Sequence, residues 1–272
     1  MLIPFRPLNV SLVKLLPRYL GRFSAASLLI VWTVTACLPR KLEPSLTVAA
    51  AASLTNAFKE ISQAFNALSG INVTTTFAAT GQLAQQMRNG APFDIIAAAD
   101  AIHIDQLIDE GFLDPNSRRE FADGDLVLVI SPSLEEEIHS LDDLSVLEIN
   151  RLVIANPEHA PYGLAAKQTL QSLQLWQDLA ETIVYTENVR QAALVVATDN
   201  ASLGLIAKSS ALDSSLNFIE VDKSLHDPIL HVAAKSRTSS QNSDADQFLE
   251  FLSSPQGIEI LKKHGFAPLE GQ

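Results

Sequence analysis

Apolar positions along the chain alternate between two spacings. Leu46-Thr47-Val48-Ala49-Ala50-Ala51-Ala52 is a β-branched run that narrows to four alanines and then meets Ser53. From there Leu54, Ala57, Phe58, Ile61, Ala64, Phe65 and Leu68 recur at the three-to-four spacing of one buried helix face. The pattern predicts a strand, a tight turn with Ser53 as helix N-cap, and a helix. It then repeats. Residues 71–77 read as a strand, Ala78-Ala79-Thr80-Gly81 as a small-residue turn with a hydroxyl cap, and Gln82–Arg88 as a helix. Residues 93–100 read as a buried strand, followed by a helix that stops at Gly111.

Further along, strands are predicted at 126–132, 151–155, 182–185, 203–207, 217–221 and 228–234. Helices are predicted at 164–173, 190–198, 241–253 and 255–264, the last with Pro255 at a first helical position. Alternating β and α segments of these lengths imply α/β lobes, each a mostly parallel sheet flanked by helices. Two crossings between lobes, near 125–127 and 226–229, would form the hinge. This divides the chain into lobe 1 at 46–126 plus 229–272 and lobe 2 at 127–228.

The first 36 residues are a different material. Arg6, Lys14, Arg18 and Arg22 have no acidic companion, and residues 23–34 form an apolar run too short to span a bilayer comfortably. Small residues then precede Cys37, the only cysteine. This is the layout of an export signal over 1–36, and Val34-Thr35-Ala36-Cys37 resembles a bacterial lipobox. Lipidation of Cys37 would tether the protein to a membrane without spanning it, through a short linker at 37–45.

With its only thiol so used, the fold would have no disulfide and no cysteine metal site. The whole chain carries a formal charge of −12, and loss of the leader's four basic residues takes the remainder to −16. Nucleic acid is excluded as a partner by that sign.

Four turns share one design, in which an apolar strand gives way to small or hydroxyl residues and a helix start. They are Ala52-Ser53, Ala79-Thr80-Gly81, Pro161-Tyr162-Gly163 and Asn188-Val189. Helix starts carry unpaired N–H groups and the positive end of the helix dipole, which suits an anion. In open α/β sheets ligands sit at the carboxyl ends of strands. Ser53 and Thr80 would offer hydroxyls, Tyr162 and Val189 backbone N–H groups. The six histidines lack metal-ligand spacing, and no Gly-x-Ser-x-Gly elbow surrounds Ser53, so neither a metal centre nor an acyl-transfer enzyme is expected.

Ala49–Asn56, Phe77–Gln86, Asn89-Gly90-Ala91-Pro92-Phe93-Asp94, Asn156–Gly163 and Glu187–Ala192 with Leu203-Gly204 together resemble the periplasmic molybdate-binding proteins. The resemblance runs over nearly all of residues 46–268. It implies a two-lobed fold of the type II periplasmic-binding-protein kind that closes over molybdate, and often tungstate, for an ABC permease. The protein would be an extracytoplasmic monomer with no cofactor. Matched motif to motif, the family's anion ligands fall on Ser53, Thr80, Tyr162 and Val189. Two departures stand out: a donor tyrosine of one branch is Ala207 here, and a donor asparagine of another is Leu54. Sulfate, thiosulfate or a phosphonate is the alternative ligand.

Overall fold

The computed structural model describes residues 45–134, 136–146 and 149–269. The leader, Cys37 and the linker up to residue 44 lie outside them. Among the described residues no helix is long and apolar enough to cross a membrane.

Strand β1 (Ser45–Ala51) runs through a 3-10 turn, Ala52–Leu54, into α1 (Thr55–Ser69). The chain continues through β2 (Asn72–Ala78), α2 (Thr80–Arg88), β3 (Ile95–Ala98), α3 (Ile102–Asp109) and β4 (Arg119–Gly124). Next come β5 (Leu126–Ile130), β6 (Leu152–Ala155), α4 (Pro161–Ser172), β7 (Ile183–Thr186) and α5 (Val189–Ala197). After β8 (Leu203–Ala207), α6 (Lys208–Asp213) and β9 (Asn217–Glu220), the chain returns as β10 (Ile229–Lys235), α7 (Asn242–Leu252), α8 (Pro255–Lys263) and β11 (Phe266–Ala267).

Two sheets result, in the orders β11-β4-β10-β3-β1-β2 and β7-β6-β8-β5-β9. The chain passes from the first to the second between Gly124 and Leu126 and comes back between Glu220 and Ile229. The sheets are mixed rather than mostly parallel. β1 lies parallel to β2 and β3, and β6 parallel to β7 and β8. By contrast β10 is antiparallel to β3 and β4, and β5 antiparallel to β8 and β9. The physical reason is the crossing. A strand that arrives from the other sheet enters at the hinge end, opposite to strands reached by a helix on the same sheet.

Sequence periodicity and burial agree along most of α1. Leu54, Ala57, Phe58, Ile61 and Phe65 are buried, while Leu68 is 72% exposed in the last turn. Phe58 and Phe65 enter an aromatic cluster with Phe121, Phe248 and Phe251, whose ring centroids lie 5.2–6.0 Å apart in tilted and edge-to-face arrangements. The cluster clamps α1 to α7 and to β4 of the first sheet.

Three elements have no counterpart in the pattern reading: β4, α6 and β11. Ser45 also belongs to β1 rather than to the linker. Phe248 is fully buried at the centre of the aromatic cluster. Its replacement by Ala is expected to lower stability by about 3–5 kcal/mol in denaturant unfolding. A loss below about 1 kcal/mol would contradict the central place given to that cluster.

Candidate anion site

At the carboxyl ends of the central strands, where the two sheets face one another, a cavity is lined by Ala51, Ala52, Ser53, Ala79, Thr80, Ala99, Ala160, Pro161, Tyr162, Asn188 and Val189. Ser53, Thr80, Tyr162 and Val189 are thus brought together around one space. All four are nearly inaccessible to solvent. No Lys, Arg, Asp, Glu or His is in the lining.

Each of the four stands at a helix start, although two do so differently from expectation. Ser53 is not an N-cap. It sits inside the 3-10 turn, and Leu54 precedes α1 with no side-chain cap. Its hydroxyl is free for other work and lies 3.2 Å from Nε2 of His231. Its carbonyl accepts a hydrogen bond from the Ser209 hydroxyl at 2.9 Å, from α6 of the second sheet's half. Thr80 is the first residue of α2, after Ala79. Its Oγ1 accepts from the Ala99 N–H at 3.0 Å instead of capping the helix. A backbone N–H can only donate, so the Thr80 proton is left for another acceptor.

Tyr162 is the second residue of α4, after Pro161, and Gly163 follows. Gly163 has to be small because a Cβ there would stand 2.1 Å from the Ala155 carbonyl oxygen. This close approach lets α4 start directly against the end of β6. Val189 opens α5. The Asn188 side chain accepts from the N–H groups of Arg190 and Gln191, both at 3.1 Å, which leaves the Val189 N–H uncapped. Among the described residues the N–H groups of Ser53, Thr80, Tyr162 and Val189 have no protein acceptor. Helix geometry dictates this, since first-turn N–H groups have no carbonyl one turn back.

The phenol of Tyr162 is held protonated. Burial pushes its pKa well above the usual range, the charges of Asp125 and Asp123 add to this, and the Ser53 side chain pulls the other way. Those two aspartates are offset by Lys223, 2.9 Å from Asp125, and by Lys208, 3.7 Å from Asp125. Lys208 is therefore an ion-pair residue at the hinge, also bonded to Glu220, and is not part of the cavity. Asp94 accepts from Thr47 and Ser239, and Asp100 accepts from the His103 N–H at the start of α3. Both are structural carboxylates.

The two halves touch across the mouth. The Gly81 N–H donates to the His159 carbonyl at 2.9 Å. The Gln82 amide donates to Glu187, and His159 Nε2 stands 4.0 Å from the same carboxylate. A Cβ on Gly81 would lie 2.8 Å from the His159 Cβ and 3.0 Å from its Cα, so the contact requires glycine.

One residue at the site escaped the sequence reading. His231 carries no motif in the sequence, yet its Nε2 stands 3.2 Å from the Ser53 hydroxyl. A lone histidine in an apolar strand has no spacing signal that could have found it.

The bacterial extracellular solute-binding protein family model matches residues 46–267. The chain is 32% identical over 234 residues to the molybdate-binding protein ModA of Escherichia coli strain K12, covering 82% of this chain and 89% of that protein. It is 34% identical over 239 residues to ModA of Azotobacter vinelandii, covering 85% and 92%. The solved periplasmic molybdate-binding protein of Azotobacter vinelandii superposes with a TM-score of 0.78 at 27% identity, over 82% of this chain and 99% of that one. The sulfate-binding protein SubI of Mycobacterium tuberculosis shares the fold at a TM-score of 0.72 and 18% identity. These relatives are solute-binding proteins and not enzymes, and by extent and identity of match the chain belongs to the bacterial extracellular solute-binding proteins, within the molybdate-binding family.

Proposed function

We propose that this chain binds molybdate, with tungstate as a second ligand, outside the cytoplasm and delivers it to an ABC permease. The observation that carries the reading is the donor set. Four unpaired N–H groups and two hydroxyls converge on one cavity whose lining holds no charged side chain. A fully ionised tetrahedral dianion offers only acceptors, so a lining of donors without a carboxylate suits it. A protonated anion such as hydrogen phosphate would need an acceptor from the protein.

Six charge-assisted bonds at about 1.5–3 kcal/mol each give a gross ~9–18 kcal/mol. Micromolar affinity needs ~8 kcal/mol, so neither Arg nor Lys is required even after ordering and desolvation costs. N–H groups fixed by a 3-10 turn and three helix starts set the cavity's size, so size should separate molybdate from sulfate. Ser53, Thr80, Tyr162 and Val189 are the proposed ligand residues. Lobe 1 at 46–126 plus 229–272 and lobe 2 at 127–228 would close by hinge motion about the two crossings. Export through residues 1–36, lipid anchoring at Cys37 and a monomeric state complete the reading. All three rest on the sequence alone.

Calorimetric titration of the purified protein is expected to show molybdate and tungstate binding at least tenfold tighter than sulfate or phosphate, about 1.4 kcal/mol or more. Equal affinity for sulfate would favour the alternative oxyanion reading. Ser53→Ala and Thr80→Ala are each expected to weaken molybdate binding by about 1.5–3 kcal/mol, and unchanged curves for both would move the site elsewhere. Gly81→Ala, which wedges a methyl group against His159, is expected to cost the closed form about 1–3 kcal/mol. Its molybdate affinity should fall accordingly, and wild-type affinity would show that the Gly81–His159 contact is not part of closure.

A further inference from the structure

His231 is fully buried on β10 and ringed by Phe266, Phe121 and Tyr162, at centroid distances of 5.0, 6.0 and 6.1 Å. Burial pushes its pKa down to about 4, with smaller upward pulls from the Ile229 backbone and from Asp100. The ring is therefore neutral at ordinary pH, with one nitrogen that donates and one that accepts. Nε2 faces Ser53 Oγ at 3.2 Å, while Nδ1 is buried with no partner in hydrogen-bond geometry. Which nitrogen holds the proton decides what Ser53 can do.

With the proton on Nδ1, the Nε2 lone pair would take the Ser53 proton. The serine would then turn lone pairs toward an incoming anion, and the Nδ1 proton would have the Ile229 backbone near it but not in hydrogen-bond geometry. With the proton on Nε2, Ser53 accepts from the ring and its own proton is free. Thr80 provides the parallel in the same cavity, since its oxygen is already occupied by a donor, the Ala99 N–H. The Tyr162 phenol lies within the influence of the Ser53 side chain and is held protonated by burial. The Ser209 bond to the Ser53 carbonyl fixes the backbone that carries the hydroxyl.

We propose that His231 is a positioning residue for the anion site: its imidazole donates from Nε2 to Ser53 Oγ and so presents the Ser53 proton to the ligand. The inference rests on the anion reading given above, and it adds a residue that touches no ligand. It also accounts for a polar ring in an otherwise apolar part of β10. A serine set as an obligatory donor is selective in itself, because a protonated oxygen on the ligand finds no acceptor there.

The test uses the full chain labelled with ¹⁵N-histidine and saturated with molybdate. The expected spectrum shows a protonated, pyrrole-type Nε2 and a bare, pyridine-type Nδ1 for His231. A protonated Nδ1 in the molybdate-bound protein would overturn the inference while leaving the anion site standing. Calorimetry provides a second arm. His231→Leu should weaken molybdate binding about tenfold, the worth of one hydrogen bond. His231→Gln, which keeps an N–H donor near the same place, should stay within about threefold of wild type. Neither substitution should add to the loss in a Ser53→Ala background. Equal losses in Leu and Gln variants, or a full loss persisting without the Ser53 hydroxyl, would reduce His231 to a packing role. Absence of molybdate binding by the wild-type protein would remove the anion reading and this inference together.

Discussion

An anion that enters a closed cavity loses its water, and each oxygen must find a donor in exchange. On the proposed reading, this protein meets that demand with backbone. The 3-10 turn at Ser53 and the starts of α2, α4 and α5 bring N–H groups to one point, where no helical carbonyl can satisfy them. The rest of the architecture serves to hold those starts in register. Central strands end in alanines, so that the chain can come close. Gly163 lets α4 begin against the β6 carbonyl, and Asn188 caps its own helix without consuming the Val189 N–H.

Charge is kept out of the cavity and concentrated around it. The protein is strongly acidic, so its long-range field repels anions, and on the proposed reading affinity comes from contact dipoles instead. At the hinge, Asp123 and Asp125 lie near enough to influence Tyr162, and Lys208 and Lys223 offset them. The ion pairs also tie β9 and the return crossing to the end of β4, the place about which the halves would move. Across the mouth, Gly81 with His159 and Gln82 with Glu187 hold the halves together by one backbone bond and one side-chain bond.

Much of this was legible in the residue pattern, because strand, small turn and helix start leave a periodic trace. Ser53, Thr80, Tyr162 and Val189 could be named from four repeats of that trace, and they do line one cavity. What the pattern lacked were features set by tertiary packing. β4 reads Arg119-Glu120-Phe121-Ala122-Asp123-Gly124, with two apolar positions flanked by charge, and its place in the sheet comes from its neighbours β10 and β11. β11 has two residues and α6 has six, both too short for a period. Strand direction is not written in alternation, hence the expectation of mostly parallel sheets where the crossing strands run antiparallel. Hydroxyl roles also shifted: a serine or threonine before a helix reads as a cap, whereas Ser53 and Thr80 spend their oxygens on His231 and Ala99. His231 left no trace because its partner is 178 residues away.

Diffraction from crystals grown with molybdate, recorded above the molybdenum absorption edge, tests the central claim most directly. The account predicts one strong anomalous peak in the cavity, its oxygens within hydrogen-bond distance of the Ser53 and Thr80 hydroxyls and of the Tyr162 and Val189 N–H groups. A peak outside that cavity, or one surrounded by lysine and arginine side chains, would contradict it.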